Sequence, residues 1–104
     1  MENYERIYVV SELRRYDDFN FDGETCEVAY RSLDEAKRKY EELKESALKL
    51  WGDCQGMMHE EDFEGEYIQI YQQFETPTPP LYAFKKTFCV IKIDHLDLKL
   101  IDNE

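Results

Sequence analysis

Apolar and polar positions along the chain fall into alternating runs, one helical stretch and several polar gaps. Residues 6–16 open with Ile7-Tyr8-Val9-Val10, and Tyr beside β-branched residues favours a strand. Asp17 to Gly23 is polar and ends in Asp22-Gly23, a strong turn dipeptide. Residues 24–31 then alternate, with Cys26, Val28 and Tyr30 on one face and Glu27 and Arg31 on the other. The two runs predict a β-hairpin.

The spacing next predicts a helix. Ser32 is suited to an N-cap, and Glu35 three residues later completes a capping box. Asp34 and Glu35 place negative charge at the positive end of the helix dipole. Leu33, Ala36, Tyr40, Leu43, Ala47, Leu50 and Trp51 recur at intervals of three and four, one apolar stripe. Asp34–Arg38, Glu35–Lys39 and Glu45–Lys49 are acid-first i, i+4 pairs on the polar face. Gly52 stands where a C′ residue ends a helix.

Residues 53–66 carry Asp53, Glu60, Glu61, Asp62, Glu64 and Glu66 with no Lys or Arg, and read as a loop. Residues 67–74 alternate as a strand, Ile68, Ile70, Gln72 and Phe74 against an outer face of Tyr67, Gln69, Tyr71 and Gln73. Thr76-Pro77-Thr78-Pro79-Pro80 is unfit for a sheet ladder and reads as a connector. Leu81 to Ile93 predicts a long strand. Leu96, Leu98 and Leu100 then run out of phase with Cys89, Ile91 and Ile93, which predicts a bulge or turn at Asp94-His95. The expected fold is α+β: an antiparallel sheet of four or five strands in the order β-β-α-β-β, with one amphipathic helix across one face. The length of 104 residues fits a single domain over 1–104.

Composition sharpens this picture. Apolar residues make up 42%, with eight Tyr, six Phe and one Trp, so the chain has the material for a core. The formal net charge of −11 disfavours direct binding to nucleic acid and to anionic membranes. It favours partners with basic surfaces. The odd, sparse set of Cys26, Cys54 and Cys89 is no disulfide framework, and Cys26 and Cys89 read as small buried hydrophobes. The start Met1-Glu2-Asn3-Tyr4-Glu5 lacks the basic and apolar regions of a secretory leader, so a cytoplasmic protein is expected.

Two constellations carry possible metal chemistry. Asp18-Phe19-Asn20-Phe21-Asp22-Gly23 matches the first half of a calcium loop, with Asp18, Asn20 and Asp22 as oxygen ligands. The match ends there, because the twelfth position is Ala29 and the flanks read as strands. Cys54 and His59 stand among acids, but no second Cys or His completes a zinc pair nearby. No nucleophile motif or glycine-rich phosphate loop is present, and no cofactor is expected. The expectation is a non-catalytic protein.

Charge is segregated along the sequence. Asp17, Asp18, Asp22, Glu24 and Glu27 form one acidic cluster, 53–66 a second, and Asp94, Asp97, Asp102 and Glu104 a third. Such a surface imitates the phosphate array of a nucleic acid and suits a basic groove on another protein. The profile is that of small inhibitors carried by mobile elements, such as anti-CRISPR or anti-restriction proteins; it is a likeness of profile, with no shared motif. The sequence therefore predicts an inhibitor that occupies a basic nucleic-acid-binding surface of a host defence or DNA-processing protein. Its expected partner contacts are Asp53, Glu60, Glu61, Asp62, Glu64, Glu66, Tyr67 and Tyr71. The alternatives are a calcium- or metal-responsive binding domain and a structural subunit of a larger assembly.

Overall fold

The computed structural model describes residues 4–15 and 24–99. Its elements are β1 (Tyr4–Arg14), β2 (Glu24–Tyr30), α1 (Leu33–Trp51), β3 (Met57–Glu61), β4 (Tyr67–Glu75) and β5 (Ala83–Lys99). The strands form one five-stranded sheet in the order β2-β1-β5-β4-β3, with every neighbouring pair antiparallel. The α+β fold with a single helix across one sheet face is as the sequence predicts. No helix among the described residues is long and apolar enough to cross a membrane.

β5 is the central strand. Cys89–Lys99 pairs with β1, and Ala83–Lys92 pairs with β4. The two pairings overlap only over Cys89–Lys92, so β1 and β4 are offset along β5. The core lies where they overlap. Val10, Ile68, Ile70, Cys89 and Ile91 meet Ala36, Tyr40, Ala47 and Trp51 of α1.

α1 starts where its sequence says. The Ser32 hydroxyl accepts the Glu35 N–H at 3.1 Å, satisfying one of the open donors of the first turn. Two alanines on the buried stripe let the helix lie close to the sheet. Tyr40, fully buried, fills the space toward β3. Leu50, read as part of the stripe, is exposed instead. The neighbouring Trp51 takes the buried position.

Several expectations need correction. Residues 53–66 are not simply a loop, because Met57–Glu61 pairs with β4 as the fifth strand. Its acids hid the strand: an edge strand tolerates charge on both faces. β5 runs through Asp94-His95 without a break, so Leu96 and Leu98 lie on the face opposite the helix. The register shift falls between Ile70 and Tyr71, where Phe88 is the extra residue on β5 and packs against the core. Gly52 is right-handed, with φ −60°, and its N–H donates to the Leu48 carbonyl at 2.7 Å. Among the described residues the left-handed glycines are Gly56 and Gly65, at φ 76° and 69°. β5 starts at Ala83 rather than Leu81. Cys26 is exposed, since β2 is the far edge of the sheet, whereas Cys89 is buried and its thiol is pushed up to about 12, by burial and then by Glu12.

The core face of β1 also carries a charge pair. Glu12 is 7% exposed; its Oε1 lies 2.7 Å from Arg14 Nε as an ion pair, and its Oε2 accepts a hydrogen bond from Nη2 at 3.2 Å. The Arg14 guanidinium lies 5.7 Å from the centre of the Trp51 ring. Taking one member from a buried pair leaves a desolvated charge, at a cost of about 3–5 kcal/mol, whereas an apolar pair of similar volume is often neutral. Arg14→Met should therefore be strongly destabilising, and Glu12→Leu/Arg14→Met much less so. Urea midpoints of the two variants check this; equal losses would refute it.

Candidate functional site

The acidic segment after α1 is built as a hairpin. Cys54 N–H donates to the Trp51 carbonyl and Met57 N–H to that of Cys54, at 3.0 and 3.2 Å, which turns the chain out of the helix. Gly56 takes the left-handed conformation before β3, and Gln72 Nε2 anchors the Gln55 carbonyl at 3.0 Å. β3 then alternates along the sheet edge. Residue parity places Glu61 on the helix side and Glu60 on the other side.

Both of these carboxylates are engaged within the fold. Glu61 accepts the Tyr40 hydroxyl at 2.7 Å and Lys44 Nζ at 3.0 Å. Burial and then this hydrogen bond push the Tyr40 phenol well above its ordinary value. Burial works to lower Lys44, but the hydrogen bonds from Glu61 and Glu41 outweigh it and the ammonium is raised. Glu60 accepts the Tyr71 hydroxyl at 2.8 Å and lies 3.5 Å from Lys85 Nζ. The Tyr71 hydroxyl and then Lys85 hold the Glu60 carboxyl below its ordinary value. Tyr71 itself is buried, with Lys85 4.5 Å over its ring, so it is not part of an open aromatic face.

Asp62 closes the turn between β3 and β4. Its Oδ1 accepts the N–H groups of Glu66 and Tyr67 at 2.8 and 3.2 Å, and its own N–H donates to the Tyr67 carbonyl at 2.9 Å. Gly65 supplies the left-handed residue. The turn is tied to the central strand, because Ile93 N–H donates to the Glu66 carbonyl at 2.8 Å.

What the tip offers to solvent is therefore narrower than the acidic run. Glu64 is exposed and Glu66 half-buried, and neither has an ion pair among the described residues. Tyr67 is exposed beside them. Phe63, which the sequence reading missed, is fully exposed between Asp62 and Glu64. Its signal was an aromatic inside a run otherwise polar and acidic. Asp53 is exposed at the far end of the segment, next to α1.

The candidate calcium ligands Asp18, Asn20 and Asp22 lie outside the described residues. Among the described residues no group of three or more His, Cys, Asp or Glu side chains is gathered to hold a metal ion, so Cys54 and His59 are not joined into one. Comparison of the chain with protein-family models, with curated proteins and with solved structures gives no match.

The Glu60–Tyr71 bond makes stability depend on acid. Glu60 starts from an ordinary value of 4.5 and is lowered by folding, so its contribution is full above that value and is lost as pH falls through the folded one. Asp97 acts in the same direction, held below 3.8 by its hydrogen bond from Arg6, with 2.7 Å between Nε and Oδ1. The urea midpoint should fall between about pH 5 and pH 3. Tyr71→Phe should make that fall shallower and move the Glu60 carboxyl midpoint upward in an NMR titration. An unmoved midpoint would show that the hydroxyl does not hold the carboxylate.

Proposed function

We propose that the protein is a non-catalytic interaction module that inhibits a host defence or DNA-processing protein by occupying its basic nucleic-acid-binding surface. This is the mode of an anti-CRISPR or anti-restriction mimic. It would act in the cytoplasm, where such effectors work. The observation that carries the reading is the ordered acidic hairpin tip, on a chain of formal net charge −11.

The mechanism is competition. A groove built for phosphates repels nothing acidic, and a rigid carboxylate array replaces the counterions that a nucleic acid would displace. Preorganisation matters because ordering a loop on binding costs affinity. Asp62 and the bond from Ile93 fix the tip in advance. Within the acidic segment Glu64, Glu66 and Asp53 are the carboxylates left for a partner. Glu60 and Glu61 are already partly neutralised by Lys85 and Lys44. Phe63 and Tyr67 add apolar area beside the charge, which is what central contacts of a tight interface need.

The test is capture of heparin-retained proteins from a bacterial lysate on immobilised protein. DNA-handling proteins should be retained at about 0.1 M salt and released near about 1 M, and duplex DNA should compete for them. Glu64→Lys/Glu66→Lys should reduce retention at least about tenfold while leaving the urea midpoint unchanged. Retention that ignores both salt and DNA would overturn the proposal.

A further inference from the structure

An open sheet has two edges, and this chain treats its two differently. β3 has five residues and carries Glu60 and Glu61 on its two faces, the usual protection against another strand. β2 has seven residues and no neighbour beyond it among the described residues. Its pairing with β1 runs without a register shift, so no bulge twists this edge away. From Thr25 to Tyr30 it has no proline and no lysine, and its one charge is Glu27. Cys26, Glu27 and Ala29 are exposed. Val28 and Tyr30 are half-buried on the helix side, where Tyr30 packs against the core. A regular edge with so little charge is a template for another strand.

Register decides which strand suits it. In an isologous antiparallel pair a strand meets its own copy about a two-fold axis, and facing residues lie on the same side of the sheet. Centring the pair on Glu27 sets two carboxylates directly opposite, which is unfavourable. Centring it on Val28 removes that clash. Val28 then faces Val28, Cys26 faces Tyr30, and Glu27 faces Ala29. Thr25 faces Arg31, whose Nε stays with Glu5 of its own chain at 3.2 Å. No like charges oppose one another, and the stripe of Cys26, Val28 and Tyr30 continues from one copy into the next. The edge is therefore complementary to itself. The formal charge of −11 on each copy opposes the contact from farther away, and salt screens that repulsion.

We infer that β2 is a self-association edge, through which a second copy of this chain pairs about Val28 to make one ten-stranded sheet with both helices on the same face. The inference goes beyond the proposed function and does not rest on it. Because β3 is the opposite edge, the dimer carries its two acidic hairpins at the far ends of the sheet, free for a partner.

Sedimentation equilibrium of the whole chain tests this. It should show monomer and dimer, with dimer gaining as salt rises from about 0.05 to about 0.5 M. Ala29→Lys sets a cation opposite Glu27 twice in the dimer and should tighten it at least about threefold; Ala29→Glu sets carboxylates opposite and should loosen it as much. Ala29 is exposed, so both variants should keep the urea midpoint. Glu75→Gln, at the far end of β4, shifts the net charge by one unit as Ala29→Lys does, and should move the equilibrium less. Amides within Cys26–Tyr30 should gain protection from hydrogen exchange in the dimer. A monomer at every salt and at protein concentrations up to about 1 mM overturns the inference. So does a dimer that answers the Ala29 variants no more than Glu75→Gln, since its contact lies elsewhere. A dimer that weakens as salt rises overturns it too, being held by ion pairs that this edge does not make.

Discussion

A sheet has two faces, and this chain has one described helix to cover them. α1 has 19 residues, about 28 Å of length, and a single apolar stripe. Its partner surface is set by β5, the middle strand of the five. Because β1 and β4 overlap only across Cys89–Lys92, the well-buried part of the sheet is short. Ile68, Ile70, Cys89 and Ile91 sit there, with Val10 just beyond opposite Ile93, and the helix packs on them. Beyond it, each end of β5 continues with one neighbour. Toward Lys99 that neighbour is β1, and toward Ala83 it is β4. The offset leaves both ends of the strand outside the core.

The same geometry decides which charges remain available. Acidic residues dominate 53–66, and counting them suggests one undivided negative patch. Strand alternation divides it. Glu61 turns under the helix to Tyr40 and Lys44, Glu60 turns away to Tyr71 and Lys85, and Asp62 is bound to backbone amides. Each cation comes from an element distant in sequence, which is why the segment looked unpaired when read alone. Exposed ion pairs of this kind are screened by water and contribute little to stability, so their main effect is to orient β3.

The helix and its cap were legible because their signals are local: Ser32, Glu35 and the stripe through Tyr40 and Ala47 lie within one segment. The first hairpin was legible for the same reason. What was not legible depended on partners. β3 has charges on both faces, and only pairing with β4 makes it a strand. The phase change before Leu96 was visible, but two physical causes produce it, a bulge or a second apolar face. Sequence alone does not choose between them. The bulge actually lies at Phe88, where the apolar run Phe88-Cys89-Val90-Ile91 masks any break in alternation. Glu12 on the core face was hidden too, since its pairing with Arg14 becomes a buried one only once Trp51 lies over the guanidinium. Of the candidate contacts, Glu64 and Tyr67 are exposed and Glu66 is half-buried. Tyr71 is buried and held by Glu60.

The free side of β1 and β5 and the acidic tip are linked through Tyr67. By strand parity Tyr67 lies on the helix-free face, opposite Lys92. It also ends the Asp62 turn, so its backbone is fixed by the same carboxylate that orders Glu66. Tyr67 thus joins the helix-free face to the acidic turn through one backbone segment. Charge alone selects any cation and loses affinity as salt rises. Apolar area alone selects any greasy surface. A surface that combined the two would select a partner basic and apolar at once, the kind of partner proposed above. Specificity of that kind would come from geometry, which at Tyr67 the Asp62 turn and the pairing of β4 with β5 hold in place.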